Sequence, residues 1–173
     1  MRKRFLLIAM CVILAVTGLW YIAVHTGKAT KTVTAEIGVT PGKQFDGFTL
    51  TNLDGKPITV GSSGKVTVIN FWATWCPPCR EELPELNKFA KKYQQSLAFY
   101  AVDIQEDSDK VGEFINKNNY TMTTLLDNDG TVAKNFRISA IPTTIVIDKE
   151  GLIKFRKSGP VTMSELEEVI KGL

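Results

Sequence analysis

The chain has 173 residues, of which 44% are hydrophobic and 23% are charged. Such a composition is typical of one folded globular domain with accessory segments, and it excludes a disordered or low-complexity polymer. The formal net charge of +3 is carried by Arg2, Lys3 and Arg4, because the rest of the chain has 18 basic and 18 acidic residues. A neutral body lacks the basic surface that binds a phosphate backbone, so no nucleic-acid partner is expected.

An uncharged apolar run of twenty residues, Phe5–Val24, follows the three basic residues. Its length matches that of a helix that crosses a bilayer, and the positive charges before it favour a cytoplasmic N-terminus. A cleaved signal peptide is the alternative, but the run is longer than the usual apolar region of such peptides. We therefore predict a single transmembrane anchor over residues 1–24, with residues 25–173 outside the cytoplasm.

The next segment, residues 25–43, is rich in Thr, Lys and Gly and has no hydrophobic periodicity, which predicts a tether. The folded domain is then predicted over residues 44–173. Its first element is a β-hairpin, because Phe48–Leu53 and Ile58–Val60 flank the turn signal Asp54-Gly55.

The β-branched run Val66–Phe71 lacks strict alternation, which predicts a strand buried on both faces. Apolar residues at helical spacing follow from Cys79 to Tyr93, and Pro84 should bend this helix because it has no N–H to donate. The later elements predicted are strands Leu97–Ile104, Thr123–Leu126, Thr143–Asp148 and Leu152–Lys157, and helices over Asp107–Asn116, over Thr131–Phe136 and after Thr162, where Glu165 completes a capping box. Strands that alternate with helices and end in a hairpin predict an α/β fold, with a mixed central sheet covered by helices on both faces.

Two of the three cysteines, Cys76 and Cys79, form a Cys-x-x-Cys motif, which has several meanings. Structural zinc needs four ligands, and the sequence has no second cysteine pair and only His25 beside the apolar run, so no metal is expected. Covalent haem attachment needs a histidine where Arg80 stands. A static disulfide and a redox-active dithiol stay open. A strand that leads to the pair at a helix start favours the dithiol, because the helix N-terminus offers N–H groups and a positive dipole end to a thiolate at Cys76.

The segment Asn70–Cys79, followed by Arg-Glu-Glu-Leu-Pro, resembles the thioredoxin-like proteins, and more narrowly the membrane-anchored ResA/TlpA/CcmG group. A second segment, Gly130–Thr144, resembles the loop of that family that carries a cis-proline opposite the cysteines. The similarity extends over residues 44–173, including the opening hairpin and the β-α insert before Thr131. The resemblance implies a thioredoxin-like fold.

The resemblance also implies roles for individual residues. Cys76 would be the exposed nucleophile of a redox-active disulfide, and Cys79 the shielded resolving thiol. Pro142 would form the cis turn beside them, and the backbone of Ile141 would pair with the partner polypeptide. Trp75 would line the rim of this substrate-binding groove.

An acidic residue of the ResA-like group matches Glu82, which lies three residues after Cys79 and hence on the same side of the helix. The alternative is a solvated glutamate like Glu81 or Glu85, which is the common state of this residue type. Asn70 departs from cytoplasmic thioredoxins, which carry a buried aspartate at this position. Asparagine cannot transfer a proton as a carboxylate can.

A membrane-tethered thiol-disulfide oxidoreductase outside the cytoplasmic membrane of a bacterium is the function that the resemblance implies. It would reduce disulfides in exported proteins, for example in apocytochrome c maturation or in envelope or spore assembly, without a metal or organic cofactor. Its partners would be exported disulfide-containing proteins and an upstream membrane thiol-electron transporter, and a monomer is expected.

Three alternatives have the same fold. A disulfide-forming oxidant stays open, because only the reduction potential separates it from a reductase. A metal-delivering binding module would need Cys-x-x-x-Cys and a distal histidine, which the body lacks, and a peroxidase would not carry a cysteine pair at this spacing.

Overall fold

The computed structural model describes residues 35–173, together with Leu14, Thr17 and Trp20. Apart from these three residues, the predicted anchor over residues 1–24 lies outside the described residues. Among the described residues, no helix has the length and apolarity needed to cross a membrane. The strands of residues 35–173 are β1 Phe48–Asn52, β2 Pro57–Val60, β3 Val66–Trp72, β4 Leu97–Ile104, β5 Thr123–Asp127, β6 Thr143–Ile147 and β7 Ile153–Ser158, and the helices are α1 Pro77–Tyr93, α2 Ser108–Lys117, α3 Thr131–Asn135 and α4 Met163–Lys171.

One mixed sheet holds the seven strands in the order β2-β1-β5-β4-β3-β6-β7. Strands β3, β4 and β5 are parallel neighbours, and helices α1 and α2 make the two crossovers that parallel pairing requires. Strands β6 and β7 extend one side antiparallel, and the β1-β2 hairpin extends the other through β5. The predicted mixed α/β sheet is confirmed.

The opening hairpin is held by the side chain of Asn52. Its Oδ1 accepts from the N–H of Asp54 at 3.0 Å and from the N–H of Lys56 at 2.9 Å. Gly55 has a φ of 72°, a left-handed conformation that glycine adopts without a Cβ penalty. The Asp-Gly turn signal therefore identified the hairpin correctly.

Two apolar cores lie on opposite faces of the sheet. Along β3, Val68 and Trp72 belong to one core, whereas Ile69 and Phe71 belong to the other, so every residue of this strand is buried. Helices α1, α2 and α4 contribute to the first core, and α3 with the following Phe136 contributes to the second. The prediction of helices on both faces is confirmed.

Residues 35–43 belong to the folded unit, which begins at Ala35 and not at Gln44. The N–H of Gly42 donates to the carbonyl oxygen of Ile153 at 2.8 Å, and the N–H of Ile153 donates to the carbonyl oxygen of Lys43 at 2.9 Å. These backbone bonds cover the outer edge of β7. Because such pairing requires no hydrophobic period, the sequence of residues 35–43 gives no sign of it. The predicted tether is therefore too long at its C-terminal end.

Helix boundaries agree with the sequence signals to within one or two residues, but one cap is only half formed. Thr162 Oγ1 accepts from the N–H of Glu165 at 3.1 Å at the start of α4. The carboxylate of Glu165 accepts from Lys157 Nζ instead, at 2.8 and 2.9 Å, so the reciprocal half of the capping box is missing. Helix α1 continues through Pro84, and the bend expected there stays a prediction.

Removal of the Phe89 ring tests the core under α1. This fully buried ring lies 4.9 Å from the Tyr93 ring and 6.3 Å from the Phe99 ring, measured between centroids. We expect Phe89→Ala to lower the free energy of unfolding by about 3–5 kcal/mol in urea titrations, because the cavity left behind cannot collapse fully. The exposed neighbour Lys88→Ala is the control and should change it by less than about 0.5 kcal/mol. Equal effects of the two substitutions would contradict this assignment of the core.

Candidate active site

The cysteine pair lies at the junction between β3 and α1. Cys76 is the N-cap of α1, with extended backbone, and forms a disulfide with Cys79 across the first helical turn. The N–H of Cys79 points at Cys76 Sγ, with the nitrogen 3.3 Å from the sulfur. The helix N-terminus therefore faces Cys76, which is the geometry that stabilises a thiolate.

Two prolines limit that stabilisation. Pro77 and Pro78 occupy the first helical positions, where the fixed φ of proline suits the helix but its nitrogen has no hydrogen. The N–H of Arg80 is already used, since it donates to the carbonyl oxygen of Cys76 at 3.1 Å. The N–H of Cys79 is thus the one backbone donor of the first turn that reaches the sulfur.

A cis peptide bond joins Ile141 to Pro142, as the resemblance implied. The carbonyl oxygen of Ile141 lies 3.8 Å from Cys76 Sγ, so the cis-proline loop is directly opposite the cysteines. Trp75, the residue before Cys76, is 62% exposed, and with Ile141 it lines an open cavity of about 700 Å³. The structure therefore brings together Trp75, Ile141 and Cys76.

The two cysteines differ less in exposure than the resemblance implied. Cys76 is 3% exposed and Cys79 is fully buried. The sulfur of Cys76 is covered because it is tucked between the helix start and the carbonyl of Ile141. In this disulfide state, the small opening at Cys76 is nevertheless the only solvent access to the pair.

Glu82 is buried, at 5% exposure, whereas its neighbours Glu81 and Glu85 are exposed. Its Oε1 accepts from Asn70 Nδ2 at 2.8 Å, and its Oε2 accepts from the N–H of Val161 at 2.7 Å. Burial raises the pKa of Glu82 above its usual value, although the hydrogen bonds from Val161 and Asn70 act in the opposite direction. The solvated alternative for Glu82 is therefore wrong.

Asn70 connects this acid to the cis-proline strand. Its Nδ2 also donates to Thr144 Oγ1 at 3.0 Å, two residues after Pro142. The amide therefore bridges β3, α1 and β6 behind the cysteines. An asparagine in this position holds the Glu82 carboxylate by donation, which an ionised aspartate could not do.

Sequence reasoning missed a second set of buried polar residues, on the other side of the active-site loop. The Glu106 carboxylate accepts from Thr74 N at 2.5 Å, from Thr74 Oγ1 at 2.7 Å and from Lys110 Nζ at 2.5 Å. Asp103, at the end of β4, is also buried. One sequence signal could have found this set, namely an aspartate, Asp103, within the otherwise apolar strand β4. The carboxyl ends of parallel neighbours such as β3 and β4 meet at the same edge of the sheet, so an acid at the end of β4 lies near the loop that follows β3.

A disulfide at the start of a helix, after a central strand and opposite a cis-proline, defines a thiol-disulfide oxidoreductase with the thioredoxin-like fold. Comparison with known proteins gives the same class. The sequence model of the AhpC/TSA family matches residues 41–156, and the chain belongs to this family.

Named relatives narrow the class further. The chain is 31% identical over 175 residues to thiol-disulfide oxidoreductase ResA of Bacillus thuringiensis subsp. konkukian, a match that covers 100% of this chain and 99% of that protein. It is 31% identical over 125 residues to sporulation thiol-disulfide oxidoreductase A of Bacillus subtilis, covering 70% of this chain and 76% of that protein. The crystal structure of StoA from Bacillus subtilis matches with a TM-score of 0.66 and 29% identity, over 76% of this chain and 98% of that chain. The protein is thus an oxidoreductase of the ResA/StoA type with a Cys-x-x-Cys pair.

The raised pKa of Glu82 predicts a pH dependence of stability. The folded state keeps the Glu82 proton at pH values where the unfolded chain, near 4.5, has released it. This contribution to stability is therefore complete below about pH 4.5 and is lost as pH rises through the folded-state pKa. We expect Glu82→Gln to reduce the decline in unfolding free energy with rising pH, measured by urea titration of the oxidised protein.

Glu81→Gln, one position earlier on the exposed face of α1, is the control and should keep the wild-type pH profile. If wild type and Glu82→Gln had the same dependence of unfolding free energy on pH, the raised pKa of Glu82 would be contradicted.

Proposed function

We propose that the protein is an extracytoplasmic, membrane-tethered oxidoreductase that reduces disulfides in exported proteins. The observation that carries the proposal is the position of Cys76, which is the one residue of the pair with any solvent exposure. Its sulfur lies 3.8 Å from the Ile141 carbonyl oxygen, and it follows the exposed Trp75 in the chain. This arrangement suits a polypeptide that lies along the cis-proline loop and presents a sulfur to Cys76. The apolar run Phe5–Val24 supports the tether.

The reaction is a thiol-disulfide exchange in two steps. In the reduced protein, the Cys76 thiolate attacks one sulfur of the substrate disulfide and releases the other as a thiolate, which takes a proton from solvent. This step leaves a mixed disulfide. The Cys79 thiol then loses its proton and attacks Cys76 Sγ, which releases the second substrate thiol. Two electrons pass to the substrate, and the protein ends with the Cys76–Cys79 disulfide, so no cofactor is required.

Glu82 is our candidate for the group that receives the proton of Cys79. It lies one helical turn after Cys79, is buried and has a raised pKa, which makes its carboxylate a stronger proton acceptor than that of an exposed glutamate. Asn70 and the N–H of Val161 hold both oxygens of the carboxylate in place. Trp75, Ile141 and Pro142 would bind the partner polypeptide.

The direction of electron flow follows from the weak stabilisation of the Cys76 thiolate. One backbone N–H reaches the sulfur, and the buried Glu82 lies on the same helix. A poorly stabilised thiolate favours the disulfide, which lowers the reduction potential and makes the dithiol a reductant. Its electrons would come from a membrane thiol transporter.

The relatives support a role outside the cytoplasm. A disulfide oxidoreductase described as secreted, from Mycobacterium tuberculosis, matches with a TM-score of 0.66 and 27% identity, over 73% of this chain and 96% of that one. The name of the sporulation relative supports spore assembly as a process served, and the resemblance to the ResA group implies cytochrome c maturation as the other.

Trapping in cells tests the roles of the two cysteines. We expect full-length Cys79→Ser to accumulate mixed disulfides between Cys76 and exported proteins, because the thiol that releases the substrate is gone. Cys76→Ser is the matched control and should trap far less, as seen on non-reducing gels and by mass spectrometry. Equal trapping by the two variants, or capture of cytoplasmic proteins alone, would contradict the proposal.

Restoring an N–H at the helix start tests the redox direction. We expect Pro77→Gly to raise the reduction potential by on the order of 30 mV, measured by equilibration with glutathione, because the added donor can stabilise the Cys76 thiolate. Pro84→Ala, a proline change in the same helix two turns away, should leave the potential unchanged. An unchanged reduction potential in Pro77→Gly would contradict this prediction and would mean that the prolines affect the helix start but not the Cys76 thiolate.

A further inference from the structure

Two acidic side chains that take no part in the exchange reaction lie next to each other below the active-site loop. Asp103 ends the buried part of β4 and is 1% exposed, and Glu106 follows it in the loop before α2 at 7% exposure. Asp103 is aligned with Trp72 in the parallel pairing of β3 and β4. The two acids therefore lie at the strand ends from which the active-site loop departs.

Glu106 fixes this loop. It receives both the backbone N–H and the side-chain hydroxyl of Thr74, two residues before Cys76, and its third bond comes from Lys110 of α2. These hydrogen bonds outweigh its burial and lower the pKa of Glu106, so Glu106 is the ionised member of the pair. A charged acceptor of three donors is a strong restraint on the backbone before the nucleophile.

Asp103 has the opposite character. Neither of its carboxylate oxygens has a hydrogen-bond donor within the described part of the chain. Burial, followed by the adjacent charge of Glu106, raises the pKa of Asp103 to about 8. Glu106 is within hydrogen-bonding reach, and two carboxyl groups can bond only if one of them carries a proton.

We propose that Asp103 and Glu106 share one proton, held on Asp103 and donated to Glu106, and that Asp103 thereby acts as a positioning residue for the loop that carries Cys76. With the proton present, a neutral carboxyl group supports the Glu106 carboxylate that binds Thr74. When the proton leaves to solvent, two negative charges adjoin in a buried site, and their repulsion loosens the contact between Glu106 and Thr74.

The other charged groups around the pair do not replace this proton. They come from three elements, namely Arg80 and Glu81 of α1, Lys110, Glu113 and Lys117 of α2, and Asp127 of β5. Lys110 already binds Glu106, and the Asp127 carboxylate accepts from the N–H groups of Val132 and Ala133. Arg80, Glu81, Glu113 and Lys117 line an open cavity beside Thr74, where solvent screens them.

The oxidised full-length protein is the sample for the test, because its disulfide cysteines do not titrate and no substrate is needed. We expect the Thr74 amide proton to resonate far downfield in NMR spectra and to move upfield in one step near pH 8. The chemical shift of the Asp103 carboxyl carbon should change in the same step.

Asp103→Asn should keep the downfield signal of the Thr74 amide and lose the step, since asparagine donates to Glu106 at every pH. Glu106→Gln should shift the signal upfield at all pH values. Glu113→Gln is the matched control and should behave as wild type.

A second readout separates positioning from structural support. Above about pH 8, the wild-type disulfide should react several-fold faster with a small phosphine than the disulfide of Asp103→Asn, because a loosened loop uncovers Cys76. Below that pH the two rates should agree.

An Asp103 carboxyl that titrates at the ordinary acidic pH would overturn the proposal, and so would a Thr74 step that persists in Asp103→Asn. The titration of the Asp103 carboxyl needs only wild-type protein, so it tests the proposal even if a variant fails to fold. Neither result depends on which disulfides the protein reduces.

Discussion

The turn from β3 into α1 is the constraint on which the rest of the structure depends. A strand buried on both faces ends, within four residues, at a helix whose first two positions are prolines. Cys76 must cap this helix, so its backbone and sulfur have little freedom. The cis-proline loop closes over the same sulfur from β6. Both cores of the sheet keep this junction in place, because α1 packs on one face while β3 contributes to both.

Buried acids hold the junction from two sides. Glu82 is bound through Asn70 and Val161, and Glu106 is bound through Thr74 and Lys110. A buried carboxylate is costly unless donors surround it, so each acid requires a definite arrangement of the backbone near the cysteines. The same acids raise the local negative charge, which disfavours a thiolate and agrees with the proposed reducing role.

The additions around the central strands also bear on the site. The insert made of α2 and β5 widens the sheet and supplies Lys110, which binds the acid under the active-site loop. The hairpin β1-β2 attaches to β5 and so extends the sheet away from the cysteines.

The sequence by itself determined the order and type of the elements, the hairpin turn and the cysteine pair, because these depend on local patterns or on short motifs. The cis-proline was implied by the family resemblance alone. Tertiary structure alone decided how the acids are used. Glu82 is buried because Asn70 and Val161 come to it from positions 12 and 79 residues away, and Glu106 reaches Thr74 across 32 residues. The pairing of residues 42 and 43 with Ile153 joins positions that lie even farther apart along the chain. Burial and the shift of a pKa are properties of what surrounds a side chain, and segments far apart in sequence supply those surroundings only when the chain folds.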